Sequence, residues 1–340
     1  MSEYRTYIVD EKDLGLWDDY ISRSEGGTIF HRLDWLKAAA DQSNTQLIPV
    51  AVSKGEDLVC LMPFFYKKKY GLKILLSPPN RCYVSYLGPV MNIISSNRYK
   101  YEWTYISILD EIIHFAERQI GFDYFRIIHT TAIQDMRPYV WKGYSFTPKY
   151  TYMFDLSGGH DKIYSEFNHA ARKGLRKAAN NGNISISRGQ NHAYDVLSLA
   201  EKRSYDQNIQ FRVHEEYFKK LMDSSFAINI ESTAVMYNGN VIAGSIDLID
   251  GNNVYAWIGA FNKEEGISGV GELVLWEKIK DFHKRGYKTF DIVDANIIRL
   301  CKHKSKYGAD LVSYFEVYKT SLKGKIALGL MNKYKKRQND

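Results

Sequence analysis

The chain echoes itself across its middle, and that echo restricts the fold more than any single motif does. Residues 46–69 (QLIPVAVSKGEDLVCLMPFFYKKK) are followed by 83–91 (YVSYLGPVM), by a helix-like stretch at 103–121 and by FDYFRII at 122–128. Residues 228–250 (INIESTAVMYNGNVIAGSIDLID) are followed in the same order by 253–261 (NVYAWIGAF), by a helix-like stretch at 271–286 and by YKTFDIV at 287–293. In both halves, alternating strands joined by tight turns lead into an amphipathic helix and then into a short apolar strand. Each helix-like stretch stops at a glycine, Gly121 or Gly286, the residue that most easily takes the left-handed conformation closing a helix. At 340 residues the chain exceeds what one domain ordinarily holds. Two tandem domains of mixed α/β type are therefore predicted, each with a largely antiparallel sheet flanked by helices.

The turns of the second half are legible. Asn238-Gly239 and Asp250-Gly251 sit between alternating runs and signal hairpins. Leu273, Trp276 and Ile279, with Leu275 and Phe282, make the apolar stripe of a helix over 272–285. Ser157-Gly158-Gly159 reads as a linker, which puts the domains at 1–155 and 156–340. After the linker a helix is predicted over 163–179, closed by Asn181-Gly182, with further helices over 192–204 and 215–222. The β-β-β-α-β pattern resembles the core of the GNAT acyltransferase fold, here apparently twice, and that resemblance implies that the second domain carries the acyl-donor loop.

Charge narrows the partners. The net charge is +7, and most of it lies in the tail: Lys323, Lys325, Lys333, Lys335, Lys336 and Arg337 against Asp340. The body is then close to neutral, which argues against a general nucleic-acid coat. The tail segment LKGKIALGLMNKYKKR reads as a terminal helix with one docked apolar face, or as a peripheral contact with an anionic membrane surface. The opening MSEYRTYIVDEKD lacks the apolar core of a signal peptide, and the apolar run at 58–66 is too short to span a bilayer. Cys60, Cys82 and Cys301 are odd in number and have no zinc-type spacing. A cytoplasmic protein with reduced thiols and no metal is expected.

The segment Gly266-Ile267-Ser268-Gly269-Val270-Gly271-Glu272 follows a strand and opens a helix. A glycine-bearing turn there presents free N–H groups and the positive end of the helix dipole, which suits a pyrophosphate. A dinucleotide site would also use acidic residues near Asp291 and Asp294, but it requires parallel βα units where this chain reads as hairpins. A nucleophile elbow fails because the second glycine of Gly-x-Ser-x-Gly would fall on Val270. Two readings remain: an acyl-donor loop made by Gly266, Ser268, Gly269, Val270 and Gly271, or a structural turn.

The G-x-x-G-x-G spacing resembles the GNAT motif Q/R-x-x-G-x-G/A, with Gly266 where Gln or Arg would stand. Three further elements resemble a narrower group, the Fem-type aminoacyl-tRNA-dependent peptidyltransferases and the related acyltransferases encoded with polysaccharide genes. They are FHRLDWLK at 30–37, FNHAARKGLRKA at 167–178 and KSKYG at 304–308, in the family's order. The resemblance implies N-acyl transfer to an amine of a cell-envelope or polysaccharide precursor. It implies that Lys304 stabilises the oxyanion, that Lys37 and Arg212 face the acceptor's phosphate or carboxylate, and that Arg172 and Arg176 bind phosphates. Arg172, Arg176 and Lys177 also lie on one side of a helix by their spacing.

The chemistry itself asks little of side chains. An amine attacks a thioester or ester carbonyl, N–H or cationic donors hold the oxyanion, and a base takes a proton. Asp247, Asp294 and Glu272 are candidate bases that the sequence does not distinguish, and a water-mediated or substrate-assisted route is equally allowed. The alternation Ile246-Asp247-Leu248 makes a plain solvent-facing role the safer expectation for Asp247. Acyl-CoA is slightly favoured as donor over aminoacyl-tRNA, because the long helical-hairpin arm of many Fem enzymes is missing between Lys177 and Phe226. The alternative is a non-catalytic binding protein that kept the fold with a degraded donor loop.

Overall fold

The computed structural model describes residues 3–262, 266–327 and 329. They form two compact units, one running up to Pro148 and resuming at Tyr314, the other Lys149–Ser313. The second unit is thus inserted into the first, whereas the sequence reading placed one cut at 155/156.

In the first unit the chain runs through β1 (Tyr4–Ile8), α1 (Trp17–Arg23), α2 (Leu33–Ser43), β2 (Gln46–Lys54), β3 (Asp57–Lys69), β4 (Leu72–Ser77), β5 (Val90–Met91), α3 (Arg98–Phe115), β6 (Tyr124–Ile128), α4 (Arg137–Trp141) and into β7 (Ser145–Asp155). β1, β2, β3 and β4 pair antiparallel in sequence order. β4 then pairs in parallel with β6, the crossover being made by α3. A core of Val50, Met62, Phe64, Leu109, Ile112 and Phe125 lies between α3 and this sheet. Gly121, at φ +70°, follows one widened turn that ends the helix at Ile120.

The second unit takes the rest of β7, then α5 (His160–Glu166), α6 (His169–Ala179), β8 (Ile184–Gly189), α7 (Ala193–Asp206), α8 (Glu215–Met222), β9 (Ile230–Tyr237), β10 (Asn240–Asp250), β11 (Asn253–Phe261), α9 (Val270–Lys284), β12 (Thr289–Asp291), α10 (Ile298–Lys304) and the start of β13 (Asp310–Thr320). β8, β9, β10 and β11 are antiparallel neighbours, and β11 pairs in parallel with β12. The crossover is α9, which mirrors α3. The single helix predicted over 163–179 is two, because Asn168 caps α6: its side chain accepts from the Ala171 N–H at 2.9 Å. Asn238 and Gly239 both have positive φ, 49° and 83°, as a two-residue hairpin turn demands.

The echo extends to the strands that close each unit. β7 follows α4 of the first unit, but its last residues pair antiparallel with β12 in the second. β13 follows α10 of the second unit, but its last residues pair antiparallel with β6 in the first. This reciprocal exchange is why no single cut in the sequence separates the units.

Candidate active site

The feature that sets the second unit apart lies at the C-terminal end of its parallel strand pair. The β11–β12 ladder runs Asn253–Thr289, Val254–Phe290, Tyr255–Asp291 and stops there. β11 continues to Phe261 against β10. The chain beyond β12 follows β7 instead, with the Ile292 N–H on the Tyr152 carbonyl at 2.8 Å and the Ala295 N–H on the Tyr150 carbonyl at 2.9 Å. The two strands therefore splay into a wedge. At its apex Ile246 pairs with Ile258 but Asp247 with Ala256, so Trp257 is an extra, bulged residue on β11. A bulge takes a backbone N–H out of the ladder and re-aims it. Trp257's ring stacks on Phe218 of α8, centroids 6.1 Å apart, which holds the bulge in place.

Lys304 stands on the other wall of this wedge. Its Nζ donates to the carbonyls of Ile292, Val293 and Asp294 at 2.8, 2.6 and 3.3 Å. All three ammonium protons are engaged. Val293 and Asp294 have φ of 46° and 40°, a conformation that non-glycine residues adopt at a cost, and the ammonium pins the turn they make. Burial pushes the Lys304 pKa below the usual lysine range, while Asp294 and Asp291 work to raise it. The rest of the KSKYG element packs. Lys306 pairs with Glu272, Tyr307 is buried against Phe167, and Gly308 is required because a Cβ would lie 2.3 Å from Glu166 Cβ.

The Gly266–Gly271 turn sits at the head of α9. Gly269, at φ +89°, touches α6: a Cβ there would fall 2.0 Å from the Gly174 carbonyl oxygen. One glycine of the turn is thus explained by helix packing. Gly266 and Ser268 are exposed, Val270 is buried, and a Cβ on Gly271 would meet open space. Glu272, in the first turn of α9, already places a carboxylate at the positive end of the dipole, with Lys306 neutralising it. Beside this turn runs α6, which buries Ala171, Leu175 and Ala178 and turns its basic residues outward. Arg176 is exposed, and Arg172 is half-buried with Nη1 on the Ser165 carbonyl at 3.0 Å.

Asp247 is neither solvent-facing nor open to a substrate. Its carboxylate accepts from Lys278 at 2.7 Å and from Ser245 at 2.9 Å, and Lys278 also donates to Ser245 at 2.9 Å. Burial raises its pKa above the usual carboxylate range in spite of Lys278. The alternation argument failed because β10 is covered on both sides: Gly244 faces Val196 of α7, and the opposite face lies under α9. Lys37 is exposed on α2 of the first unit, and Arg212 is exposed between α7 and α8 of the second. The structure brings the glycine turn, α6 and the Lys304–Gly308 segment together and leaves Asp247 beneath α9. Sequence reasoning missed the bulge at Trp257, since a one-residue register shift leaves the alternation of apolar residues almost unchanged. Among the described residues, no group of three His, Cys, Asp or Glu side chains could hold a metal, and no helix is long and apolar enough to cross a membrane.

Residues 165–303, within the second unit, match the family described as acetyltransferase (GNAT) domain. The whole chain shares the fold of FemX, with a TM-score of 0.67 at 11% identity over 92% of this chain and 96% of that one. It is similar to the C-terminal domain of an Agrobacterium fabrum protein described as a lysylphosphatidylglycerol synthetase, with a TM-score of 0.58 at 11% identity over 93% and 95% of the two chains. A tandem GNAT protein from the clavulanic acid biosynthesis pathway gives 0.54 at 10% identity over 93% and 98%. No curated protein matches the chain. The mixed α/β architecture and the likeness to FemAB-like GNAT folds inferred from the sequence both hold.

Proposed function

We propose that the protein is an N-acyltransferase that moves an acyl or aminoacyl group from an anionic carrier to an amine of a cell-envelope or polysaccharide precursor. The observation that carries this reading is the splayed β11–β12 wedge with its bulge at Trp257. A carrier arm laid in the wedge adds its amides to the free edge of β11. Its carbonyl then meets the backbone N–H released by the bulge. The acceptor amine attacks that carbonyl, and the N–H holds the tetrahedral oxyanion, a contribution of roughly 3 kcal/mol for one well-placed donor. Collapse expels the carrier's thiolate or ribose oxygen, which takes up the proton the amine loses. Lys304 acts by fixing the far wall of the wedge, where its ammonium binds three carbonyls.

An acyl thioester of coenzyme A is the favoured donor. The Gly266–Gly271 turn and the α6 residues Arg172 and Arg176 supply N–H groups and positive charge for its phosphates. Aminoacyl-tRNA, which the Fem-type resemblance brings, is the second candidate. Arg212 is the acceptor contact that the Fem-type resemblance offers in the second unit. Contact with an anionic membrane through the basic tail concerns residues 328 and 330–340, which lie outside those described, apart from Lys323 and Lys325.

A second reading, a binding protein without catalysis, draws support from Glu272, which occupies the helix terminus with Lys306. The deciding assay incubates the protein with radiolabelled acetyl-CoA or with charged tRNA, each against glucosamine and a lysine-containing muropeptide. Transfer or donor hydrolysis is expected with one donor. Failure with both, from a protein that nonetheless binds a muropeptide, favours the binding reading.

A further inference from the structure

We propose that Arg203 and Arg299 form a phosphate-binding pair at the open end of β11, a site for a further phosphate of the acyl carrier besides those at the glycine turn. The inference rests on reading the second unit as a carrier site. Arg203, half-buried on α7, lays its guanidinium 3.6 Å above the centre of the Phe261 ring. Phe261 is the last residue of β11, beyond the point where β12 has left it. Stacking covers one face of the guanidinium and fixes its plane, leaving the N–H edge to grip an oxyanion in bidentate fashion.

Arg299, exposed on α10, donates from Nη1 to the Gln207 side-chain oxygen at 2.7 Å. Gln207 is the C-cap of α7, one turn beyond Arg203, so Arg299 comes up on the same side of that helix. A neutral amide satisfies one N–H of Arg299 and cancels none of its charge. Two guanidinium groups are held near each other by a ring and an amide. Burial and Arg299 both lower the Arg203 pKa.

Two neighbouring lysines are already committed. Lys304 is taken up by three carbonyls and Lys306 by Glu272. His303, beside them, is held below its usual pKa by burial and by Lys306, with Lys304 and Arg203 adding to the effect. An anion arriving here meets a positive field to which Arg203 and Arg299 both contribute. Phe261 lies four positions beyond Trp257 along the extended strand, about 13 Å at the usual rise. The phosphate would therefore sit about that far from the reacting carbonyl, within reach of a long thioester arm or of the phosphodiesters behind an aminoacylated ribose.

The test measures equilibrium binding of coenzyme A, of a short RNA hairpin with a single-stranded 3′ end, and of inorganic phosphate. It compares the wild type with Arg203→Ala, Arg203→Lys, Arg299→Gln and, as control, Arg137→Gln in the first unit. Arg203→Ala and Arg299→Gln should each weaken one carrier at least tenfold, with Arg203→Lys failing to restore it and the control unchanged. If the carrier is RNA, each loss should also reduce the salt slope by about one. Weakened coenzyme A identifies a thioester carrier; weakened RNA identifies an aminoacyl one. Wherever transfer is observed, donor KM should rise in the variants while kcat at saturation is kept. Unchanged binding of both carriers, or equal losses in the control, overturns the site even if the enzyme is active. Intact, arginine-dependent binding by a protein that transfers nothing supports the site and removes the proposed function. Arg299 is exposed, so Arg299→Gln carries the test if Arg203→Ala does not fold.

Discussion

The two parallel strand pairs, β4–β6 in the first unit and β11–β12 in the second, are the same device used in opposite ways. In the second unit the strands part after Tyr255 and Asp291, and β11 runs on alone past its bulge. In the first unit the corresponding gap is filled. The chain leaves β4, returns, and lays Leu87 beside β6, with the Leu87 N–H on the Ile128 carbonyl at 2.7 Å and a parallel bridge to His129. Gly88 follows at φ +83°, where a Cβ would crowd Ile127 and His129 at 3.1 and 3.2 Å, and its carbonyl lies 3.2 Å from His31 Nε2. A wedge that one half stops with its own loop is left open in the other. A repeated fold can keep one site by closing its twin, and what separates the two is a loop of about a dozen residues rather than the repeated elements.

The largest expected effect lies under the open wedge. Asp247→Leu alone leaves Lys278 charged and buried, and should cost about 3–5 kcal/mol in chemical denaturation. Asp247→Leu combined with Lys278→Met should recover most of that loss, and recovery of acyl transfer along with stability would exclude Asp247 as the base. Next comes the stopper. Leu87→Ala should cost about 2–4 kcal/mol and speed amide exchange in the first unit, with transfer unchanged. Loss of transfer at full stability would mean the first wedge is not merely closed.

A pH effect should separate the halves more gently. His31 and His129 are buried around the stopper, and burial lowers their pKa values to about 4 and about 3. Their folded-state pKa values lie below the unfolded 6.5, so the stability they confer is complete above pH 6.5. It is lost as pH falls through 6.5 toward 4 and 3, at about 1.4 kcal/mol per pH unit for each histidine. His129→Leu should flatten the acid limb of the stability curve in the first unit. An unchanged limb would mean that His129 is not held neutral. The smallest effect belongs to the half-buried Lys306–Glu272 pair. Lys306→Gln should cost about 1 kcal/mol or less in thermal unfolding and, by leaving Glu272 uncompensated at the head of α9, weaken any anionic donor there.

Much of the second unit was readable in advance. The helices at 192–204 and 215–222 appear as Ala193–Asp206 and Glu215–Met222, and the helix after the glycine turn as Val270–Lys284. Periodicity carries such elements, because a helix needs one apolar stripe and a hairpin needs its turn residues, and both are local properties. What the sequence could not show was non-local. Asp247 looked solvent-facing because alternation cannot report that both faces of β10 are covered. Lys304 was assigned to an oxyanion, but the turn at Val293 and Asp294 that engages its ammonium has no sequence mark. Gly269 was counted among donor-binding glycines, and only the approach of α6 at Gly174 reveals its packing role.

By itself, the order of residues determined the element types, the duplicated β-β-β-α-β plan and the GNAT-like class, because these follow from hydrophobic period and turn chemistry within a few dozen residues. Tertiary structure alone decided which wedge stays open, which lysine is taken up by carbonyls, where β11 bulges and which closing strand each unit receives from the other. Those outcomes depend on hydrogen bonds and contacts between residues far apart in the chain, and local pattern carries no record of them.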